Sequence, residues 1–307
     1  MPFVTSKEML KYAYKGGYAV GSFNINNLET VQGVIAAGVK TNSPLILQVS
    51  QGARKYANLK DIKNFVFAVA EKVNLPIALH LDHGESFEVC KDGVDCGFTS
   101  IMIDGSHLPF NENIALTQKV VSYAHERGVV VEGELAGATG ECTASGIVQF
   151  TNPDCAKEFV FKTNLDSLAV RIGNLHGAFK TDNPSLRFDL LSEIEKVIPN
   201  FPLVLHGVST IPQELVNTIE KYGGTLQGAA GIPADMLKKA AKMGVCKINI
   251  DSDMRLAFTA AIRKYLVEHP SHFDPRQYLA FARNAVEEMA AHKMTEVLGC
   301  AGKAINN

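Results

Sequence analysis

The sequence predicts an α/β protein, a (β/α)8 TIM barrel with extra C-terminal helices. Eight short runs rich in apolar and β-branched residues recur along the 307 residues, with helical periodicity between them. Most of these runs are apolar nearly throughout, which is typical of strands buried on both faces of a parallel sheet. Every run also ends in polar or ionisable residues, at the position where such a barrel carries its active site.

The predicted strands are residues 18–24, 44–50, 76–82, 99–104, 129–135, 167–173, 202–207 and 245–251. The predicted helices are residues 28–40, 59–73, 86–96, 111–127, 154–163, 186–197, 212–222, 234–243, 254–268 and 281–298. Asn26 or Asn27 is the expected cap of the first helix. A doubly wound open sheet is the alternative fold. It should carry a glycine fingerprint after its first strand, which Val20-Gly21-Ser22-Phe23-Asn24 matches poorly.

The whole chain, residues 1–307, is predicted to form one barrel domain, because no linker, low-complexity segment or charge block divides it. A glycine-rich stretch, 223–233, precedes an added helix, and two further helices follow the eighth strand. The connection between those two helices, residues 270–276, is expected to be exposed and able to reach a neighbouring subunit.

The composition of the chain limits the classes of partner and the cellular compartment that we expect. A formal net charge of -2 gives no reason to expect nucleic acid or an anionic membrane as a partner. Six scattered cysteines without a C-x-x-C pair indicate reduced thiols. Neither a signal peptide nor an apolar run of the ~20 residues needed to span a bilayer is predicted. We therefore expect a cytoplasmic protein.

Three histidines, His83, His176 and His206, each close an apolar run and are each followed directly by glycine. Neutral imidazoles that converge from different strands predict an open zinc site. Zinc suits imidazole, whereas magnesium and calcium prefer oxygen ligands. The alternative for each histidine is a structural role at the rim of the core, with the ring donating to a backbone carbonyl.

Two carboxylates extend this predicted site. Asp82 directly precedes His83, and successive strand side chains point to opposite sides, so both cannot bind one ion unless the strand has already ended. We therefore expect His83 to bind the metal and Asp82 to transfer a proton. Asp82 could instead orient a histidine. Glu134 shares a strand face with Glu132 and is nearer the strand's carboxyl end, as a fourth or alternate metal ligand. A pair between Glu134 and Arg171 on the next strand is equally open.

Glu141 lies in a loop of small residues, 136–146. This composition indicates a mobile flap that could carry a proton-transfer group over bound substrate. The alternative is a solvated loop glutamate.

The ends of the last two strands, His206-Gly207-Val208-Ser209 and Asn249-Ile250-Asp251-Ser252-Asp253, each open a helix. Backbone N–H groups at a helix start, with a serine hydroxyl, bind phosphate well. Lys180 adds a cation, and a second anion site could come from Ser50, Arg255 and Arg276. Turn or capping chemistry is the alternative for each. Two anion sites flanking a metal would indicate a substrate phosphorylated at both ends.

Several segments together resemble one family. They are His80-Leu81-Asp82-His83-Gly84, Met102-Ile103-Asp104-Gly105-Ser106-His107, Gly173-Asn174-Leu175-His176-Gly177, His206-Gly207-Val208-Ser209 and Asn249-Ile250-Asp251-Ser252-Asp253. From Tyr18 to Ala301, in the same order, the chain is similar to the class II, zinc-dependent fructose-1,6-bisphosphate aldolases.

The resemblance implies reversible cleavage of fructose 1,6-bisphosphate to dihydroxyacetone phosphate and glyceraldehyde 3-phosphate by a homodimer or homotetramer. It implies Zn2+ on His83, His176 and His206, with Glu134 as alternate ligand and Asp82 exchanging a proton with the C4 hydroxyl. It further implies a monovalent cation, Na+ or K+, near the first phosphate. The implied substrate-binding residues are Asn24, Ser50, Gly177, Lys180, Gly207, Ser209, Asn249, Asp251, Ser252, Arg255 and a neighbour's Arg276.

The chain departs from the family pattern in three places, one of which is Glu134-Leu135-Ala136, where the family usually has Glu-Leu-Gly. The flap reads Thr139-Gly140-Glu141-Cys142-Thr143, with one acidic residue and a shorter length than usual, and Arg171 stands where many relatives have a small residue. A tagatose-1,6-bisphosphate aldolase is the nearest alternative. A non-catalytic phosphosugar-binding homologue is a further one, against which the intact Asp82 and the three histidines argue.

Overall fold

Eight parallel strands close into a barrel, in which each strand pairs with the next in sequence and the last pairs back with the first. This computed structural model describes residues 3–135, 150–174, 185–226 and 228–305. The strands are β1 (Val20–Asn24), β2 (Leu45–Val49), β3 (Ile77–Gly84), β4 (Ser100–Ile103), β5 (Val130–Leu135), β6 (Ser167–Val170), β7 (Leu203–Leu205) and β8 (Val245–Ile250). The predicted (β/α)8 barrel is confirmed.

Helices surround the barrel and extend beyond it. They are α1 (Ser6–Gly16), α2 (Leu28–Thr41), α3 (Gln51–Tyr56), α4 (Leu59–Ala70), α5 (Phe87–Cys96), α6 (Phe110–His125), α7 (Pro153–Thr163), α8 (Phe188–Val197), α9 (Gln213–Lys221), α10 (Ala234–Ala241), α11 (Ser252–Glu268) and α12 (Pro275–His292). A π-helix, Lys293–Val297, continues α12. No helix within the described ranges is long and apolar enough to cross a membrane.

The last long helix begins earlier than the sequence analysis placed it. The Asp274 side chain accepts a hydrogen bond from the Arg276 backbone N–H at 3.0 Å, and Pro275 occupies the first helical turn. Proline suits that position because the N–H it lacks would have no helical partner. The predicted start at residue 281 is therefore wrong, and Arg276 belongs to α12 rather than to the preceding connection.

The barrel interior contains charged side chains beneath its carboxyl end. Glu132 on β5 and Lys247 on β8 form an ion pair of 2.9 Å, with both side chains almost fully buried. Beside them, His80 Nδ1 on β3 lies 2.8 Å from the Ser100 hydroxyl on β4. Side chains alternate along a strand, so Asn249, two residues after Lys247, lies on the same inward face of β8.

The elements beyond the eight βα units close the sides and the lower end of the barrel. In α1, the Ser6 hydroxyl lies 3.2 Å from that of Ser100, the first residue of β4, so α1 covers the amino ends of the strands. On the outside, α12 packs against α2 and α11. A Cβ on Gly33 of α2 would lie 2.8 Å from the Arg283 carbonyl oxygen, so glycine permits the close approach of α2 and α12.

Candidate active site at the carboxyl ends of the strands

A cavity of about 290 Å3 opens at the carboxyl end of the barrel. Its lining comes from residues at or after the ends of β1, β2, β3, β7 and β8: Asn24, Gln48, Ser50, Gln51, Gly52, Asp82, His83, Gly207, Ser209, Asn249, Asp251, Ser252 and Arg255. Ten of these thirteen residues were predicted site residues, and the structure brings them to one wall of the barrel mouth.

The end of β3 is irregular, and this irregularity places two consecutive residues on one side. His83 has a positive φ of 48°, and the register with β4 shifts between Leu81 and Gly84. As a result, Asp82 Oδ1 lies 4.0 Å from His83 Nε2. The alternation expected within a strand therefore does not hold at Asp82 and His83, because it requires an extended backbone that His83 does not have. This is the exception under which both residues can face one ion.

His206, directly after β7, faces His83 across the barrel mouth. His206 Nδ1 lies 3.1 Å from His83 Nε2 and 3.9 Å from Asp82 Oδ1. Behind it, His206 Nε2 lies 2.7 Å from Glu132 Oε1, which is buried. When Nε2 donates to this carboxylate, Nδ1 keeps a lone pair directed at the other two side chains.

His83 also contacts a second carboxylate. Its Nδ1 lies 2.8 Å from Asp104 Oδ2, just after β4. Burial lowers the pKa of His83, but the hydrogen bond to Asp104 and the charges of Asp82 and Glu134 outweigh it and raise that pKa to about 9. Burial alone would raise the pKa of Asp104, yet its hydrogen bond with His83 holds it below the usual value.

Glu134 is paired with Arg171 and still faces His83. Its Oε1 accepts hydrogen bonds from Arg171 Nε at 2.9 Å and Nη2 at 2.8 Å. Its Oε2 lies 3.9 Å from His83 Nδ1 and is buried without a hydrogen-bond partner among the described residues. Burial, then the charge of Asp104, raises the pKa of Glu134 against the opposing effect of Arg171. Both alternatives for Glu134 therefore keep support: the Arg171 pair exists, and one oxygen is left over for a cation.

Among the described residues, two overlapping groups of side chains could hold a metal ion. One is Asp82, His83 and His206, and the other is His83, Asp104 and Glu134. Within each group the potential ligand atoms all lie within 4.8 Å of one another. Imidazole nitrogens with carboxylate oxygens form a donor set typical of zinc and similar divalent ions, and the leftover Glu134 Oε2 fits the same use.

Some of the predicted anion-binding residues line the cavity, and Arg276 does not. Ser50, Arg255 and Asp251 line it, although each also has a partner within the chain. Ser50 caps α3 and accepts from the Ala53 N–H at 3.3 Å, and Arg255 pairs with Asp251 at 2.7 Å. Burial raises the pKa of Asp251, which Arg255 opposes. Arg276 is 89% exposed, pairs with Asp274 and does not line this cavity.

Four of the predicted site residues, Glu141, His176, Gly177 and Lys180, lie outside the described residues.

The structure also reveals polar residues beneath the site that the sequence analysis did not assign. Lys247 donates to Asn249 Oδ1 at 2.8 Å as well as pairing with Glu132. Asn249 in turn donates to Asp82 Oδ1 at 3.1 Å. The sequence did contain an indication of this. Lys247 lies two positions before the predicted site residue Asn249, so the two side chains share the inward face of β8. A lysine buried among apolar strand residues needs a charged or polar partner.

The chain matches the family model described as fructose-bisphosphate aldolase class-II over residues 4–303. It is 50% identical to the fructose-bisphosphate aldolase of Treponema pallidum (strain Nichols), covering 98% of this chain and 97% of that one. It is 46% identical to the fructose-bisphosphate aldolase of Giardia intestinalis, covering 99% and 95%. Among solved structures, the YdjI aldolase of Escherichia coli K12 is 31% identical with a TM-score of 0.81, covering 99% and 100%. The fold, the grouping of side chains and these matches show that the chain belongs to the class II fructose-bisphosphate aldolase family.

Proposed function

We propose that this chain, as a single catalytic domain, reversibly cleaves fructose 1,6-bisphosphate to dihydroxyacetone phosphate and glyceraldehyde 3-phosphate. Family membership implies a divalent metal and a bisphosphorylated sugar substrate. The observation that carries the proposal is the group Asp82, His83 and His206 at the carboxyl end of the barrel, with Asp82 and His83 lining the cavity.

The proposed metal is Zn2+, held by His83, His206 and His176, with Glu134 as an alternate ligand. The contact of His206 with Glu132 supports this assignment, because it fixes the ring with Nδ1 toward His83. Zinc in this position would supply Lewis-acid stabilisation of the negative charge that carbon–carbon cleavage leaves on the ketone half.

Asp82 is the proposed group that accepts the C4 hydroxyl proton during cleavage. Its side chain is only 6% exposed and receives a hydrogen bond from Asn249, so its orientation is fixed before substrate binds. Glu141 on the flap is proposed to remove a proton from dihydroxyacetone phosphate in the return direction.

Two phosphate sites are proposed on either side of this centre. Gly207 and Ser209, with Gly177, Lys180 and a Na+ or K+ ion, would bind one phosphate. Ser50 and Arg255, with Arg276 from a second copy of the chain, would bind the other, so a homodimer or homotetramer follows from the proposal. The substrate carbon chain and hydroxyls are assigned to three further cavity residues and the start of α11: Asn24, Asn249, Asp251 and Ser252.

The test is a coupled cleavage assay on fructose and tagatose 1,6-bisphosphates. We expect kcat/KM to favour the fructose substrate. Tagatose bisphosphate is the second candidate because Asp104-Gly105-Ser106-His107 occurs in enzymes of that kind, and Asp104 here contacts His83. Equal values for the two sugars would contradict the assignment of specificity, and no cleavage of either would contradict the proposed activity.

We also propose a cytoplasmic location. Among the described residues, Cys90, Cys96, Cys155, Cys246 and Cys300 are free thiols. Free thiols are usual in a reducing compartment. Cell fractionation tests this, and recovery of the chain from the secreted or membrane fraction would contradict it.

A further inference from the structure

An ion pair lies buried behind the cavity, between the first turn of α11 and the π-helix. Asp253 Oδ2 and Lys293 Nζ are 3.0 Å apart, and each side chain is 2% exposed. A buried pair of this kind often adds little stability relative to apolar residues of the same volume. Its contacts, rather than its energy, therefore indicate its role.

Within the described part of the chain, the other side-chain hydrogen bonds of this pair go to one segment, residues 206–211, which we name the β7 loop. Asp253 Oδ1 accepts from the Ile211 N–H at 2.8 Å and from the Thr210 hydroxyl at 3.3 Å. Asp253 Oδ2 accepts from the Thr210 N–H at 3.1 Å. Lys293 Nζ donates to the same Thr210 hydroxyl. Two consecutive residues of the loop are thus tied to the pair.

The loop conformation held in this way is an unfavourable one. Ile211 has a positive φ of 46°, which a β-branched side chain rarely adopts. From another direction, the Ile232 N–H donates to the Ser209 carbonyl oxygen at 2.9 Å. A Cβ on Gly231 would lie 2.2 Å from the Thr210 carbonyl carbon, so this neighbouring segment also presses closely on the loop.

The same loop starts at His206 and contributes Gly207 and Ser209 to the cavity wall. We propose that Asp253 and Lys293 are positioning residues, which hold the β7 loop in the geometry that binds one substrate phosphate. This inference rests on the proposed function, because it takes Gly207 and Ser209 as phosphate ligands. Both charged groups are buried and act through Thr210 and Ile211, without touching the substrate.

The experiment compares wild-type enzyme with Lys293→Met and Asp253→Asn. We expect KM for fructose 1,6-bisphosphate to rise about tenfold while kcat changes less than about threefold, as for loss of a binding contact. The dissociation constant of inorganic phosphate, measured by calorimetry, should rise in parallel, and zinc content should stay at the wild-type value. Lys7→Met is the matched control, since it breaks the Lys7–Asp166 pair far from this loop, and should leave KM unchanged.

If the Asp253–Lys293 pair only stabilises the fold, the variants lose thermal stability but keep the wild-type KM and phosphate affinity. That result overturns the proposal, and loss of zinc from the variants overturns it as well. If either charge variant fails to fold, Thr210→Val removes the hydroxyl that both groups contact and keeps the Asp253–Lys293 ion pair intact. It should also raise the phosphate dissociation constant. Phosphate binding can be measured without turnover. An unchanged phosphate affinity in the variants contradicts the positioning role, whereas a wild-type enzyme that does not cleave the sugar contradicts the proposed function.

Discussion

His83 shows how one backbone angle can assemble a site. Its positive φ interrupts the alternation of β3, so that Asp82 and His83 lie on the same side and His206 meets both. In an ideal strand, the two residues would face opposite sides of the barrel wall. The division of roles between them therefore rests on their chemistry and partners, not on opposite orientation.

Asp82→Ala should abolish turnover and leave most of the zinc bound. Removing a group that accepts a proton in the reaction typically costs a factor of about 10^2–10^4 in kcat. Zinc should remain because the imidazoles do not depend on this carboxylate for their orientation: His206 contacts Glu132, and His83 contacts Asp104. Metal analysis and kinetics on the same preparation, with the exposed Asp95→Ala as control, separate the two effects. Loss of zinc would make Asp82 a support of the metal site instead.

Arg171→Ala should strengthen zinc binding by about tenfold. The guanidinium neutralises the charge of Glu134. Its own positive charge also repels a metal ion bound nearby, and the repulsion energy of two such charges at short distance is about a few kcal/mol. Removing it leaves a buried carboxylate that a metal can satisfy. Competition against a chelator measures the affinity, with the exposed Arg187→Ala as control. An unchanged or weaker affinity in Arg171→Ala would show that Glu134 takes no part in binding the ion.

At the scale of elements, the sequence predicted the eight strands well and the helix ends less well. Long apolar runs mark buried strands regardless of their exact neighbours. The helix α3 has six residues, too few for a periodic pattern, and was missed. The helix α1 was also missed, although Met9, Leu10 and Ala13 form its buried face. Asp274-Pro275 was an available start signal for α12 that periodicity alone did not include.

Gly33→Ala should destabilise the chain by about 1–3 kcal/mol, the usual cost of overpacking. Its Cβ would lie 2.7 Å from a Val286 methyl carbon and 2.8 Å from the Arg283 carbonyl oxygen, so α12 would have to shift from α2. Gly52→Ala in α3 is the control, because among the described residues only the Ser50 hydroxyl comes within 4 Å of its Cβ position, at 3.9 Å. Urea unfolding measures both variants. If the two variants have the same free energy of unfolding, α12 can move away from α2 at little cost, which contradicts this prediction.

The buried layer formed by β3, β5 and β8 predicts a pH dependence of stability. Burial, then the charge of Lys247, lowers the pKa of His80 well below 6.5. The folded chain keeps His80 neutral, whereas the unfolded chain protonates it below about pH 6.5. The free energy of unfolding therefore falls as pH decreases below that value, at up to about 1.4 kcal/mol per pH unit for this residue.

His80→Asn should remove this contribution. Between pH 6 and pH 5, its free energy of unfolding should fall less steeply than that of the wild-type chain, by about the amount of one proton. Urea unfolding at several pH values provides both slopes. Parallel slopes would show that His80 gains a proton in the folded state.

For the whole molecule, the barrel itself explains why the site could be located from sequence. Carboxyl ends of parallel strands meet at one face, so polar residues after β1, β2, β3, β7 and β8 had to be neighbours. Which neighbour each one contacts depends on strand register. Glu134 pairs with Ala169 in the ladder, and Arg171 lies two residues further along the same face, where it reaches Glu134. The sequence left that pair open because it does not specify the register.

The proposed function requires a metal ion held at His83 and His206 for the aldol cleavage. Its most direct test is the rate of fructose 1,6-bisphosphate cleavage after complete removal of metal by a chelator, followed by titration with Zn2+. We predict that cleavage is lost with the metal and returns in proportion to zinc, reaching the original rate at about one ion per chain. Cleavage that continues at the original rate in the fully metal-free enzyme would contradict this account.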